Sequence, residues 1–186
     1  MYIPDSKILF LHAQKCAGGS IKMLLKKHCP DYIIPKSSAH WNAYEWKREI
    51  GNDFDSYFKI GSVRNPWDRA VSYYYHAKTH HKELKQLNFK DFVLSGKISS
   101  PIVSLYCKFH FCSTCIIDHF VRQEHVEKDM KVICDKLGVK SPKIENRTLE
   151  SIRPNREYQH MYDDMLIDAV ASCSQWEIDK FGYTFD

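Results

Sequence analysis

The chain predicts an α/β fold with a central, mainly parallel sheet flanked by helices. Two strand–loop–helix units, at residues 7–27 and 57–74, and a later strand–helix pair at 116–137 carry that expectation. Strands that alternate with helices pack most readily as a parallel sheet. The 186 residues contain no repeat, low-complexity segment or Pro/Gly/Ser linker, so 1–186 is read as one domain.

The elements follow in order. Residues 7–12 form a compact apolar run, suited to a buried strand. Residues 13–19 read as a loop with two glycines. A helix over 20–27 then puts Ile21, Leu24 and Leu25 on one face, with Ser20 as its cap and Pro30 as its stop. Residues 32–34 suggest a second short strand, 37–40 a polar loop and 41–50 a helix. Residues 57–63 read as a strand. Asn65-Pro66 next matches a helix start, with Asn at the cap and Pro at the first helical position. Residues 79–85 read as a charged connection, 88–94 as a short helix and 116–121 as a strand. Residues 124–137 form an amphipathic helix stopped by Gly138, and 162–181 read as one last helix.

Composition narrows the class. The chain is 44% hydrophobic and 27% charged, which is ordinary for a globular protein. A net charge of +4 suits an anionic ligand but gives no nucleic-acid-binding tail. No stretch is long and apolar enough to span a membrane, and residues 1–5 do not resemble a signal peptide. The expected location is therefore cytoplasmic. The seven cysteines are an odd number, which argues for reduced, mostly buried thiols rather than a disulfide framework.

Two segments carry chemistry. In the first, Lys15-Cys16-Ala17-Gly18-Gly19-Ser20-Ile21 joins a strand to a helix. Glycines allow close backbone approach, and a helix start offers free N–H groups at the positive end of its dipole. Lys15 adds a charge and Ser20 a hydroxyl. This is not a Walker A loop, because Lys15 precedes both glycines, and that disfavours a nucleotide-dependent kinase. In the second, Gly61-Ser62-Val63-Arg64-Asn65-Pro66-Trp67-Asp68-Arg69-Ala70-Val71-Ser72 places Arg64 at the end of a strand, where open α/β sheets bind ligands. A guanidinium grips a phosphate in two places, and Ser72 adds a third bond. Trp67 is read as core, and Asp68 with Arg69 as an ordinary exposed pair.

These segments resemble the 5′-phosphosulfate loop and the 3′-phosphate motif of sulfotransferases that use 3′-phosphoadenosine 5′-phosphosulfate (PAPS). The chain is most similar to the carbohydrate sulfotransferases of heparan and chondroitin type and their bacterial relatives. The stretch from Ile117-Asp118 to Leu137-Gly138 and the terminal Phe181-Gly182-Tyr183-Thr184-Phe185 agree with that family. The resemblance is weak from 76 to 115, and Gln14-Lys15-Cys16 stands where the family has Pro-Lys-Thr.

The resemblance implies a P-loop-like three-layer fold, PAPS as donor with 3′-phosphoadenosine 5′-phosphate as product, and a hydroxyl acceptor of saccharide type. It implies no metal. Lys15 would stabilise the oxygen that bridges phosphate and sulfate. Ala17, Gly18, Gly19, Ser20 and Ile21 would hold the 5′-phosphate, and Arg64 and Ser72 the 3′-phosphate. His40, in Ser37-Ser38-Ala39-His40-Trp41, is the first candidate for general base. His12 comes second, with Glu45 and Glu49 as weaker alternatives on a solvated helix face. Arg147 and Arg153 would close over the nucleotide. A chain of this family that has lost catalysis and only binds nucleotide is the alternative. Cys112 and Cys115 have zinc-like spacing but no second pair beside them, so buried thiols are the preferred reading. Oligomeric state and acceptor identity are not encoded in any motif recognised.

Overall fold

The computed structural model describes residues 1–99, 104–140 and 157–186. Its centre is a four-stranded sheet in the order β1-β2-β3-β6, formed by β1 (Tyr2–Ile3), β2 (Ile8–Leu11), β3 (Phe58–Val63) and β6 (His119–Arg122). β2, β3 and β6 run parallel, with Phe10 opposite Ile60 and Ser62 opposite Val121; β1 is an antiparallel edge. The expected mainly parallel α/β sheet flanked by helices is what forms.

Side chains alternate across the strands and build two apolar layers. Ile8, Phe10 and Ile60 face one layer with Ile21 and Leu25 of α1 (Gly18–His28) and Met130 and Ile133 of α6 (Val126–Leu137). Leu9, Leu11 and Val63 face the other, with Ala43 and Trp46 of α2 (Ala43–Ile50) and Leu105 and Phe109 of α5 (Leu105–Phe109). A third cluster joins α3 (Pro66–His80), α4 (Phe89–Leu94) and α7 (Asp164–Cys173). A two-stranded hairpin, β4 (His110–Phe111) with β5 (Thr114–Cys115), follows α5, and α8 (Gln175–Phe181) closes the chain.

Several boundaries differ from the sequence reading. Residues 32–34 form no strand, only a bridge between Ile33 and Tyr2, while the unanticipated β1 takes the sheet edge. The expected last helix is two helices broken at Ser174, which is buried at the α7–α8 junction. The expected strand from 116 is shorter, because the Asp118 carboxylate accepts from the Lys59 amide (2.7 Å) before β6 begins. α3 runs on to His80, and a 3₁₀ turn over Lys82–Leu84 replaces part of the expected connection. The α2 start is a full capping box in which Asn42 and Glu45 satisfy each other's amides, so Glu45 is a structural cap and not a solvated face residue.

Candidate donor and acceptor site

The loop between β2 and α1 owes its shape to two non-glycine residues in left-handed conformation, Lys15 (φ 62°) and Ala17 (φ 57°). Such residues cost of order 1–3 kcal/mol each and gather where a loop must aim its backbone. Ala17 is the helix cap and has no side-chain capping bond, so Ser20 does not cap α1 as the sequence suggested; it lies in the helix's first turn. The helix starts early because the two left-handed residues turn the chain before the glycines. Ala17 offers no capping side chain and no acidic residue lies in the first turn of α1, so the positive end of the helix favours an anion.

Gly18 and Gly19 serve different needs. A Cβ on Gly18 would sit 1.8 Å from Cδ2 of His12, so the imidazole packs directly under the helix start. Gly19 is exposed. His12 thus shapes the loop from beneath, on the same sheet face as Phe10, whose ring centroid lies 6.1 Å away. Cys16 is fully buried, with its thiol directed at the Gln14 carbonyl (3.3 Å). Burial, before any charge effect, pushes this thiol up to about 11.

The second segment forms as read. Asn65 caps α3 by accepting from the amides of Trp67 and Asp68, and Pro66 occupies the first turn. Trp67 is core, with its indole N–H donating to the Ile167 carbonyl (3.0 Å). The exposed Asp68–Arg69 pair does not exist. Asp68 accepts from Nε of Arg64 at 2.7 Å and pairs with its Nη2 at 2.6 Å. Arg69 instead pairs with Glu177 at 3.3 Å, both buried, and ties α3 to α8. Burial raises the Glu177 carboxyl, against the opposing pull of Arg69.

Arg64 joins the two segments. Its Nη1 donates to the Lys15 carbonyl at 3.1 Å, and only 9% of the residue is exposed. Lys15 is lowered from its ordinary value, first by burial and then by the Arg64 charge. Two cations thus crowd the open end of α1. Ser72 lies four residues beyond Asp68 on α3, which puts it on the face that holds Arg64. The structure therefore gathers Lys15, the 17–21 segment and Arg64 at the carboxyl ends of β2 and β3, with Ser72 on the adjoining helix face.

The chain's end walls this region. The Asn65 amide donates to Glu124 (2.6 Å), Asn65 Nδ2 donates to the Thr184 carbonyl (2.8 Å), and Tyr183 O–H donates to Glu124 (3.3 Å). The sequence reading recognised the terminal Phe-Gly-Tyr-x-Phe but assigned it no contact. Glu124 was read only as the first residue of a helix and given no contact, since one exposed glutamate there carries no distinctive signal.

His40, the first candidate for general base, ends a 3₁₀ turn over Ser38–His40 that leads into α2; its side chain, like Arg147 and Arg153, lies outside the described residues. Lys108 of α5 was also missed. It is 2% exposed, and its Nζ donates to the Trp41 carbonyl (3.2 Å). The cysteine reading needs correction too. None of the seven cysteines is in a disulfide, but only Cys16, Cys29 and Cys134 are buried, while Cys107, Cys112 and Cys173 are exposed. Cys112, in left-handed conformation, sits exposed in the turn of the β4–β5 hairpin, while Cys115 on β5 is half-buried against the layer that holds Leu105 and Phe109. Among the described residues no three His, Cys, Asp or Glu side chains converge as a metal-binding set, and no described helix is long and apolar enough to cross a membrane.

A mainly parallel α/β sheet with a lysine-bearing loop and a helix start at its carboxyl edge, braced by the arginine that follows the next strand, is an arrangement in which such folds bind anions. The model of the sulfotransferase family matches residues 1–184, and the chain belongs to that family. No curated protein and no solved structure gives a significant match.

Proposed function

We propose that residues 1–186 act as one domain that transfers a sulfuryl group from PAPS to a hydroxyl of a saccharide. The observation that carries this reading is the Arg64–Lys15 contact. One guanidinium couples the loop at the open helix end to the helix that bears Ser72, so a ligand with phosphates at both its 5′ and 3′ positions meets one connected site. The donor set suits such a nucleotide: two cations, the positive end of a helix and no acidic residue in the first turn of α1.

PAPS supplies the activated sulfuryl group. The α1 first-turn amides and Ser20 hold the 5′-phosphate, and Arg64 with Ser72 holds the 3′-phosphate. In transfer, the bond from sulfur to the bridging oxygen breaks and a bond from the acceptor oxygen to sulfur forms. Lys15 balances the charge left on the bridging oxygen. The acceptor proton passes to a base, assigned to His40. Positioning and electrostatics do the work, as in phosphoryl transfer.

Calorimetric titration with 3′-phosphoadenosine 5′-phosphate, 5′-AMP and ATP tests the reading. Preference for the bisphosphate, together with loss of sulfuryl transfer in Lys15→Ala, is the expected result. Equal binding of all three would overturn it. Bisphosphate preference with no transfer to any hydroxyl acceptor would favour the binding-only alternative.

A further inference from the structure

We propose that Lys108 is a positioning residue for the acceptor side of the reaction: by donating to the Trp41 carbonyl, its ammonium holds the turn that carries His40 against the donor loop. The proposal rests on the sulfotransferase reading of the site.

Lysine is rarely buried fully, and when it is, its charge needs partners. Lys108 is 2% exposed, on a short helix between the exposed Cys107 and the fully buried Phe109. It lies in the layer where three pieces of the site meet: Ala13 and Cys16 of the donor loop, Ala43 and Trp46 of α2, and Leu105 and Phe109 of α5. The groups that bear on its charge come from the donor loop, from α2 and from α1. Glu45 of α2 and the Cys16 thiol favour the ammonium, while Lys22 of α1 opposes it; the buried amino group of Met1 is also within electrostatic reach. Burial dominates, and Lys108 is brought down to about 8.

The turn it grips needs holding. Ser37 enters it in left-handed conformation (φ 63°), Ser38 Oγ donates back to the Pro35 carbonyl (2.7 Å), and the Trp41 amide closes it on the Ser38 carbonyl (3.3 Å). Beyond it, Asn42 begins the capping box of α2. The Trp41 carbonyl lies between these two closures, and Lys108 reaches it from across the layer. An apolar side chain of similar length would fill the same space without the desolvation penalty. A charge kept there against stability points to orientation of the turn, not to cohesion of the core.

The test compares wild type, Lys108→Met and Lys108→Arg. It measures thermal melting, titration with 3′-phosphoadenosine 5′-phosphate, hydrogen–deuterium exchange over residues 36–42, and sulfuryl transfer from PAPS to fully desulfated, N-acetylated heparin and to desulfated chondroitin. Lys108→Met is expected to melt no lower than wild type and to bind the bisphosphate within about twofold, yet to exchange the turn amides faster and lose about tenfold or more in kcat. Lys108→Arg, which keeps a donor, is expected to recover much of kcat and to extend activity above pH 8, where the wild-type ammonium is lost. A folded Lys108→Met with unchanged kcat or unchanged exchange overturns the proposal. So does one that melts well below wild type, because the charge would then serve stability. Wild type that neither binds the bisphosphate nor transfers sulfate sinks the sulfotransferase reading, and the positioning role with it. Wild type that does both, matched by Lys108→Met, sinks the positioning role alone.

Discussion

The Arg64 guanidinium donates to the Lys15 backbone carbonyl at 3.1 Å while Asp68 holds its other edge. One side chain therefore shapes the loop assigned to the 5′-phosphate and also supplies charge assigned to the 3′-phosphate. The consequence is asymmetric. Arg64→Ala is expected to weaken binding of both 5′-AMP and 3′-phosphoadenosine 5′-phosphate, the latter more. Ser72→Ala removes one bond to a charged group, worth about 1.5–3 kcal/mol, so it should weaken the bisphosphate by about tenfold or more and leave 5′-AMP unchanged. Parallel titrations of both nucleotides check this. A Ser72→Ala effect of equal size on 5′-AMP would remove Ser72 from the 3′ subsite.

Gly18 is required by space and not by backbone conformation. Its missing Cβ leaves room for His12, which would otherwise stand 1.8 Å away at Cδ2 and 2.2 Å away at Nε2. Gly18→Ala is expected to destabilise the fold by about 1–3 kcal/mol or more, the usual cost of overpacking. His12→Ala should relieve most of that loss when combined with it, giving a strongly non-additive cycle. Urea melts of the two single variants and the double variant measure the coupling. Additive losses would mean that the imidazole does not fill this space.

Cys16 stands next to the candidate catalytic lysine, yet it is no nucleophile. It is fully buried, and burial raises its thiol to about 11. Reaction with Ellman's reagent at pH 7.5 should modify Cys107, Cys112 and Cys173 first, since these are exposed, and should reach Cys16 only on unfolding. Mass mapping of the modified peptides decides it. Rapid labelling of Cys16 in the folded protein would show that the donor loop opens.

The local signals were readable wherever one residue type has one dominant use. Asn65-Pro66 announced a helix start, Gly138 a helix end and Arg64 a strand-edge cation, and each forms as expected. What failed were the long-range pairings. Asp68 and Arg69 are sequence neighbours that turn to opposite partners, one reaching Arg64 four residues back and the other Glu177 on a distant helix. Helical geometry separates adjacent side chains by about 100°, so adjacency alone cannot pair them. The α7–α8 break at Ser174 was hidden because no glycine or proline marks it. Lys108 was illegible for a related reason: a lysine in Tyr106-Cys107-Lys108-Phe109 reads as surface until the fold buries it.

That burial leaves a thermodynamic signature separate from any role in turnover. Lys108 loses its proton near pH 8 in the folded protein, against an ordinary value of 10.5. Below pH 8 both folded and unfolded chains carry the proton, and the full penalty of the buried charge is present. Between pH 8 and 10.5 the unfolded chain keeps the proton that the folded chain has released, so stability rises with pH through that window. The span corresponds to about 3 kcal/mol. Lys108→Met has no such term, and the remaining titrating groups largely cancel in the comparison. Urea unfolding of both proteins at pH 7, 8, 9 and 10 should therefore show wild type gaining on the variant above pH 8 by a total approaching about 3 kcal/mol. The lost bond to the Trp41 carbonyl offsets the comparison by a roughly constant amount below pH 8, so the slope is the diagnostic quantity, not the gap at any single pH. A difference that stays flat from pH 7 to 10 would mean that Lys108 keeps its ordinary affinity for the proton, and hence that the ammonium reaches water in the folded protein.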